Sequence, residues 1–185
     1  MEYSTQGQTA AGRYAQLQSA RSTFDREAKE SSKLTIPSLI PESTTGTRAK
    51  IKTPFQAVGA RGVNSLASKL LFALLPPSTA FFKLSIDSLE LLKQGQEGLE
   101  TEIDKGLRTI ETALMNEIEI SNDRVAMFEA LKHLIVGGNV LLYLTDDGLK
   151  VYPLSKFVCK RDAVGNVLEI ITQESVNPKA LSPEF

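Results

Sequence analysis

A chain of 185 residues with 42% hydrophobic and 23% charged residues has an ordinary globular balance, unlike that of a wholly disordered chain or a fibrous repeat. The net charge of −1 gives no chain-wide attraction to nucleic acid or membrane, and the one cysteine, Cys159, rules out a disulfide framework and a cysteine-built metal cluster. No basic stretch followed by an apolar run opens the chain, so no signal peptide is expected.

The two most apolar stretches are Leu70–Leu75, stopped by Pro76 and Pro77, and Leu134–Leu144, broken by Gly137, Gly138 and Asn139. Both fall short of the roughly 20 residues a membrane span needs, so a soluble chain without membrane contact is expected. Charge falls in blocks. From Ser43 to Ile86 there is no acid, and Arg48, Lys50, Lys52, Arg61, Lys69 and Lys83 give +6. From Asp87 to Ala130, eleven acids face only Lys93, Lys105, Arg108 and Arg124, a balance of −7. Such blocks suit pairing within the chain, pairing between neighbours in an oligomer, or simply two solvated faces of unlike sign.

In chain order, Tyr14, Leu17, Arg21, Phe24 and Ala28 recur at spacings of three and four, which predicts an amphipathic helix over Thr9–Ser32. So thin an apolar stripe needs a partner surface. Leu34–Pro41 follows, with Pro37 and Pro41 excluding helix, and is expected as an extended, packed arm. Glu42–Gly46 reads as a loop and Arg48–Thr53 as a short extended piece. A second helix is predicted over Pro54–Leu75, with Pro54 at the first helical position. Phe55, Val58, Gly62, Leu66 and Leu70 fall on one face. Gly59 and Gly62 each weaken a helix by about 1 kcal/mol relative to alanine, so the pair suggests close approach of another backbone. Pro76-Pro77 ends this helix, and Phe81–Ile86 reads as a strand.

A clean stripe of Leu99, Ile103, Leu107, Ile110, Leu114 and Ile118 predicts a helix over Gln96–Ile120. Ser121-Asn122 caps another that carries Val125, Phe128, Leu131 and Ile135 inward and stops at Gly137-Gly138. The period then changes. Asn139–Thr145 and Leu149–Tyr152 around Asp147-Gly148 form a hairpin signal, and Phe157–Arg161 and Val167–Gln173 around Ala163–Asn166 form a second. The fold class is therefore α+β, a mostly helical N-terminal two-thirds leading into an antiparallel β-meander. The expected divisions are a helix and arm at 1–42, a helical region with a short strand at 43–138, the meander at 139–174, and an incomplete or disordered tail at 175–185. The meander lacks a closing element, so the natural chain is expected to continue.

Chemistry is sparse. His133, the lone histidine, sits on the apolar Ala130–Val136 run and is expected as a core or rim residue rather than a ligand or base. Cys159 reads as a small buried hydrophobe in a strand. Gly59-Ala-Arg-Gly62 lacks both the Gly-Lys-Ser/Thr ending and the preceding strand of a phosphate loop. No catalytic, cofactor-binding or metal residue is assigned, no cofactor is expected, and the chain is not expected to be an enzyme.

Three passages resemble the portal (head-to-tail connector) proteins of short-tailed, podovirus-type phages. The first runs from Arg13-Tyr-Ala-Gln-Leu17 through Arg21, Phe24 and Ala28 into Leu34–Leu39. The second is Thr53–Leu71 with its Gly-Ala-Arg-Gly-Val-Asn core, then Ala73–Pro77 and Phe81–Leu84. The third is Leu131–Tyr143 followed by Val151–Ser155. Phe55 stands where the family carries a tyrosine, which keeps the ring. The resemblance spans Arg13 to Glu174 and implies an N-terminal portion, mostly of the portal wing.

It also implies a homo-oligomeric ring, typically of twelve subunits, at one capsid vertex. Capsid, packaging terminase and tail proteins would be its partners, and double-stranded DNA would pass non-specifically through its channel. The protein would belong to the virion and be assembled in the host cytoplasm. Arg13, Tyr14, Arg21, Gly59, Arg61, Gly62 and Asn64 are the candidates for structural and assembly roles, with Arg61 expected to anchor structure rather than DNA. The first helix and its arm are expected to pack on a neighbouring subunit or on another part of a longer chain. Two other readings are a helical protein-binding adaptor or regulatory domain using the acidic Gln96–Ile120 helix, and a small enzyme with polar groups converging near His133 or Cys159. Ring-shaped particles would separate the first reading from the adaptor.

Overall fold

Thr9 starts the first helix: its backbone is extended, and its hydroxyl oxygen accepts from the N–H of Gly12 at 3.3 Å. In the computed structural model the described residues are 9–41, 53–77, 79–85, 100–146 and 148–176. The predicted Thr9–Ser32 helix is two helices, α1 (Ala10–Ala20) and α2 (Ser22–Leu34), broken at Arg21, where φ is −96° and ψ is 5°. The predicted stripe still faces inward: Tyr14 and Ala28 are buried and Leu17 and Arg21 half-buried, while Phe24 is 38% exposed.

Residues 35–40 form a tight turn rather than an extended arm. Fully buried Ser32 explains it, because its Oγ donates to the Ile36 carbonyl at 2.8 Å and accepts from the Ile40 N–H at 3.2 Å. Ser32→Ala is expected to cost about 1–3 kcal/mol, since it leaves a buried backbone donor unpaired. Thermal denaturation checks this, and an unchanged Tm would deny Ser32 that role.

The turn delivers Ile40 into a core with Ala28, Tyr152, Leu154 and Phe157, with Leu39, Leu141 and Cys159 packed around it. The buried Ala28 and Ile40 thus pack on Tyr152, Leu154 and Phe157 far along the chain, while Leu34 at the end of α2 stays 74% exposed.

Helix α3 (Val58–Leu74) begins four residues beyond Pro54, so Pro54 does not open it, and it ends just ahead of Pro76-Pro77. Its buried residues are Val63 and Ala67, and it packs against the helix at Asp123–Gly137. The face that carries Phe55, Val58, Gly62, Leu66 and Leu70 is the open one: Phe55 is fully exposed, Val58, Gly62 and Leu66 are exposed, and only Leu70 is half-covered. Small residues decide the packed side. Ala67 is 0% exposed, and a Cβ at Gly59 would run into the Leu34 carbonyl oxygen and lie 3.1 Å from the Thr35 Cα.

Residues 81–85 are not a strand, and no other strand pairs with them among the described residues. The Leu84 N–H instead donates to Glu111 Oε1 at 2.5 Å, and Phe81 and Phe82 meet edge to face. Ile86 and the start of the predicted Gln96–Ile120 helix lie outside the described residues. So do the Glu42–Gly46 loop, most of the Arg48–Thr53 piece and residues 177–185.

Helix α4 (Glu100–Ile120) carries the predicted stripe, yet none of its described residues is buried. Helix α5 (Asp123–Gly137) is the central element, touching α2, α3, α4 and the first hairpin. It buries Ala130, Leu131, His133, Val136 and Gly137, while Val125, expected inward, is exposed. Asn122 makes no side-chain cap; Ser121 Oγ accepts from the Asp123 N–H at 3.4 Å. Gly138 stops the helix in the left-handed region at φ 69°.

The remainder forms β1 (Leu141–Thr145), β2 (Gly148–Tyr152), β3 (Phe157–Arg161) and β4 (Val167–Thr172). The α+β class holds, but the strands make two separate antiparallel hairpins, β1–β2 and β3–β4, rather than one meander. Pro153, with no N–H to offer, and a 3₁₀ turn at Leu154–Lys156 separate them. The β1–β2 register pairs Thr145 with Gly148, so Gly148 belongs to the strand, one residue away from the expected Asp-Gly turn. In the second loop, Asp162 Oδ1 accepts from the N–H groups of Val164 and Asn166 at 3.0 and 2.7 Å. The Asn166 side-chain amide donates to its other oxygen, and these bonds hold the Asp162 carboxyl below its usual pKa.

Candidate functional site

The candidate residues separate into two groups. Arg13, Tyr14 and Arg21 lie on one side of α1 and its end, and all three reach the second hairpin and the turn before it. Arg13 forks onto Glu169 of β4, with Nε at 3.1–3.2 Å and Nη2 at 2.8 Å from its carboxylate oxygens. That contact raises the guanidinium pKa and lowers the carboxyl pKa. The Tyr14 hydroxyl donates to the Ser155 carbonyl at 3.2 Å, and burial raises its pKa.

Arg21 is the hub. Nη1 donates to the Phe157 carbonyl at 3.0 Å and Nη2 to the Leu154 carbonyl at 2.9 Å, so one guanidinium spans the 3₁₀ turn. Its Nε lies 2.8 Å from Asp25 Oδ1, an ion pair not aligned for a hydrogen bond, and the Phe157 ring centroid is 5.7 Å from its Cζ. The break between α1 and α2 falls at the residue that makes these contacts.

The second group lies on α3. Gly59 admits the end of α2. Arg61, Gly62 and Asn64 stand on exposed positions; the Asn64 carbonyl accepts from Ser68 Oγ at 2.9 Å, and a Cβ at Gly62 would meet nothing within 4 Å. The structure does not bring this group together with Arg13, Tyr14 and Arg21.

Sequence reasoning missed three further links. Asp123 Oδ1 accepts from the Leu149 N–H at 2.8 Å, tying the start of α5 to β2 beside Gly148, whose φ is 116°. Arg124 Nη2 donates to the Leu75 carbonyl at 2.6 Å and closes the end of α3. Glu174 accepts from Lys150 Nζ at 2.7 Å and from the Tyr152 hydroxyl, bridging the two hairpins. Only the Asp-Gly context of the first hairpin hinted at any of them.

Cys159 lines an open groove of about 730 Å³ with Arg13, Leu17, Arg21, Phe24 and Arg161. His133 is 5% exposed, its Nδ1 has no hydrogen-bond partner among the described residues, and its Nε2 lies 3.8 Å from Glu129. Burial lowers its pKa, with Lys132 acting in the same direction and Glu129 opposing. A histidine kept neutral in the fold costs stability as pH falls below its unfolded value of about 6.5, because the unfolded chain then binds a proton that the fold refuses. Tm is expected to fall more between pH 7.5 and 5.5 in the native chain than in His133→Leu, and parallel curves would reject this. Among the described residues no group of three or more His, Cys, Asp or Glu could hold a metal ion, and no helix is long and apolar enough to cross a membrane.

The conspicuous polar side chains hold backbone and neighbouring elements in register, as in a structural subunit. Residues 7–185 match the family described as bacteriophage head to tail connecting protein, and the chain belongs to that family. It is 42% identical over 180 residues to the portal protein of Escherichia phage T7, covering 93% of this chain and 33% of that protein. It is 42% identical over 174 residues to the portal protein of Enterobacteria phage T3, with 90% and 32% covered. Identity to the portal protein of Enterobacteria phage SP6 is 30% over 193 residues, with 99% and 36% covered. The chain thus spans about one third of the length of the curated relatives it matches.

Proposed function

We propose that these residues are the N-terminal portion of a phage portal subunit, a structural component of the virion. Its homo-oligomeric ring would sit at one capsid vertex, pass double-stranded DNA during packaging and ejection, and receive the tail. The observation that carries this is the continuous family match over residues 7–185, joined by 42% identity to two portal proteins across nine-tenths of the chain. Within such a subunit the α-helical region and its two hairpins would be mostly wing. Arg13, Tyr14 and Arg21 would keep the first helix on the second hairpin, and Arg61, Gly62 and Asn64 would act in assembly. Twelve subunits, contact with capsid, terminase and tail proteins, and assembly in the host cytoplasm complete the reading.

The test is to purify the full-length gene product and image it by electron microscopy, with native mass spectrometry for the copy number. Closed rings with a central channel are expected. A monomeric particle under all conditions would overturn the reading.

A further inference from the structure

Helix α3 has one covered side and one open side. Opposite Val63 and Ala67 lie Val58, Gly62, Ser65, Leu66, Lys69 and Phe72, all exposed, with Val58 62% and Phe72 61% open. Arg61 borders the same face, and no acid occurs between Ser43 and Ile86, so this surface is apolar and basic. Gly62 is the telling residue. Gly59 is required by the end of α2, but a Cβ at Gly62 would meet nothing within 4 Å, so among the described residues no close contact requires a helix-weakening glycine there. A glycine on an open helix face fits a second backbone coming close.

Helix α4 offers the complement. Its stripe is half-covered at Ile103, Leu107 and Ile118 and open at Ile110 and Leu114, which are 51% and 44% exposed. Acidic Glu100, Glu102, Asp104, Glu111, Glu117 and Glu119 outnumber Lys105 and Arg108 along it. One chain therefore carries two helix faces of opposite charge, each with exposed apolar residues.

We propose that the open face of α3 in one subunit seats α4 of a second copy, with Gly62 at the point of closest approach and Arg61 and Lys69 facing the acids. This is a head-to-tail contact. Each copy keeps one free α3 and one free α4, so the contact repeats from subunit to subunit and a suitable rotation closes it into a ring. The inference deepens the portal reading and rests on it.

The test uses the full-length subunit with its native cysteines replaced. One version carries Ser65→Cys on α3 and another Ala113→Cys on α4, co-assembled and treated with a short bis-maleimide. Covalent dimers are expected in the mixed rings and not in rings of either version alone. Gly62→Leu is expected to lose rings while the monomer keeps its far-ultraviolet circular dichroism and its Tm. Arg61→Glu with Lys69→Glu is expected to weaken assembly at least tenfold, with recovery when mixed with Glu102→Lys/Glu117→Lys subunits. Rings that form without the α3–α4 cross-link, or that tolerate Gly62→Leu, overturn this interface and leave the portal reading standing. Absence of rings in the unmodified protein overturns both.

Discussion

Phe157→Ala is expected to lower stability by about 3–5 kcal/mol, the range for truncating a buried aromatic. Phe157 is 3% exposed at the start of β3, where its ring packs with Ala28, Ile40, Tyr152 and Leu154 and lies beneath the Arg21 guanidinium. Its removal opens a cavity at the junction of α2, the Ile40 turn and both hairpins, none of which can collapse inward without breaking the bonds at Ser32 and Arg21. Urea denaturation is the check, with a lower midpoint and an unchanged slope expected. Val164→Ala, on the exposed second loop, is the control and is expected to shift stability by less than about 0.5 kcal/mol. Equal shifts in the two variants would contradict a core at Phe157.

Arg21→Ala is expected to cost about 2–4 kcal/mol, because charge-assisted hydrogen bonds to two carbonyls are lost together and Asp25 is left without its cation. The side chains of Arg21 and Asp25 are only 16% and 20% exposed, so water replaces the lost contacts poorly. Arg21→Lys is expected to recover the smaller part of the loss, since an ammonium cannot span two carbonyls and cover a ring at once. A double variant with Asp25→Ala is expected to cost less than the sum of the single changes. Full rescue by lysine would mean that charge alone, and not the planar fork, holds the turn.

These two residues also show where the sequence was legible. The spacing of Tyr14, Leu17, Arg21 and Ala28 pointed to the correct side of the first helices, because an amphipathic stripe is a local property. The break at Arg21 was not legible, since it depends on carbonyls at Leu154 and Phe157 far along the chain. Helix α3 was only partly legible, for a different reason. Its apolar residues define a face but not which side is covered, and close packing on α5 selected Val63 and Ala67. Phe81–Ser85 has strand-like composition, but strand structure needs a partner edge, and the Leu84 N–H found Glu111 instead. The two hairpins were visible from turn residues and alternation, and the failure to merge them came from Pro153 and the 3₁₀ turn. Arg13, Tyr14 and Arg21 were singled out from a passage that resembles the portal family, but their partners Glu169, Ser155 and Phe157 were not legible.

The anchors of the first helix have a consequence for synthesis. Tyr14 and its partner Ser155 are separated by 141 positions, and Arg13 and Glu169 by 156. A ribosome adding about 5–20 residues per second needs roughly 7–30 s to produce the second member of each pair. During that delay the helix has left the exit tunnel and its docking surface does not yet exist. Helix α1 is suited to the wait: its sequence is rich in alanine and carries two glutamines, with Tyr14 and Leu17 its only large apolar side chains, so the nascent segment offers little for aggregation or chaperone capture. The weak amphipathicity that makes this helix depend on the hairpin later is what lets it remain harmless before the hairpin is made.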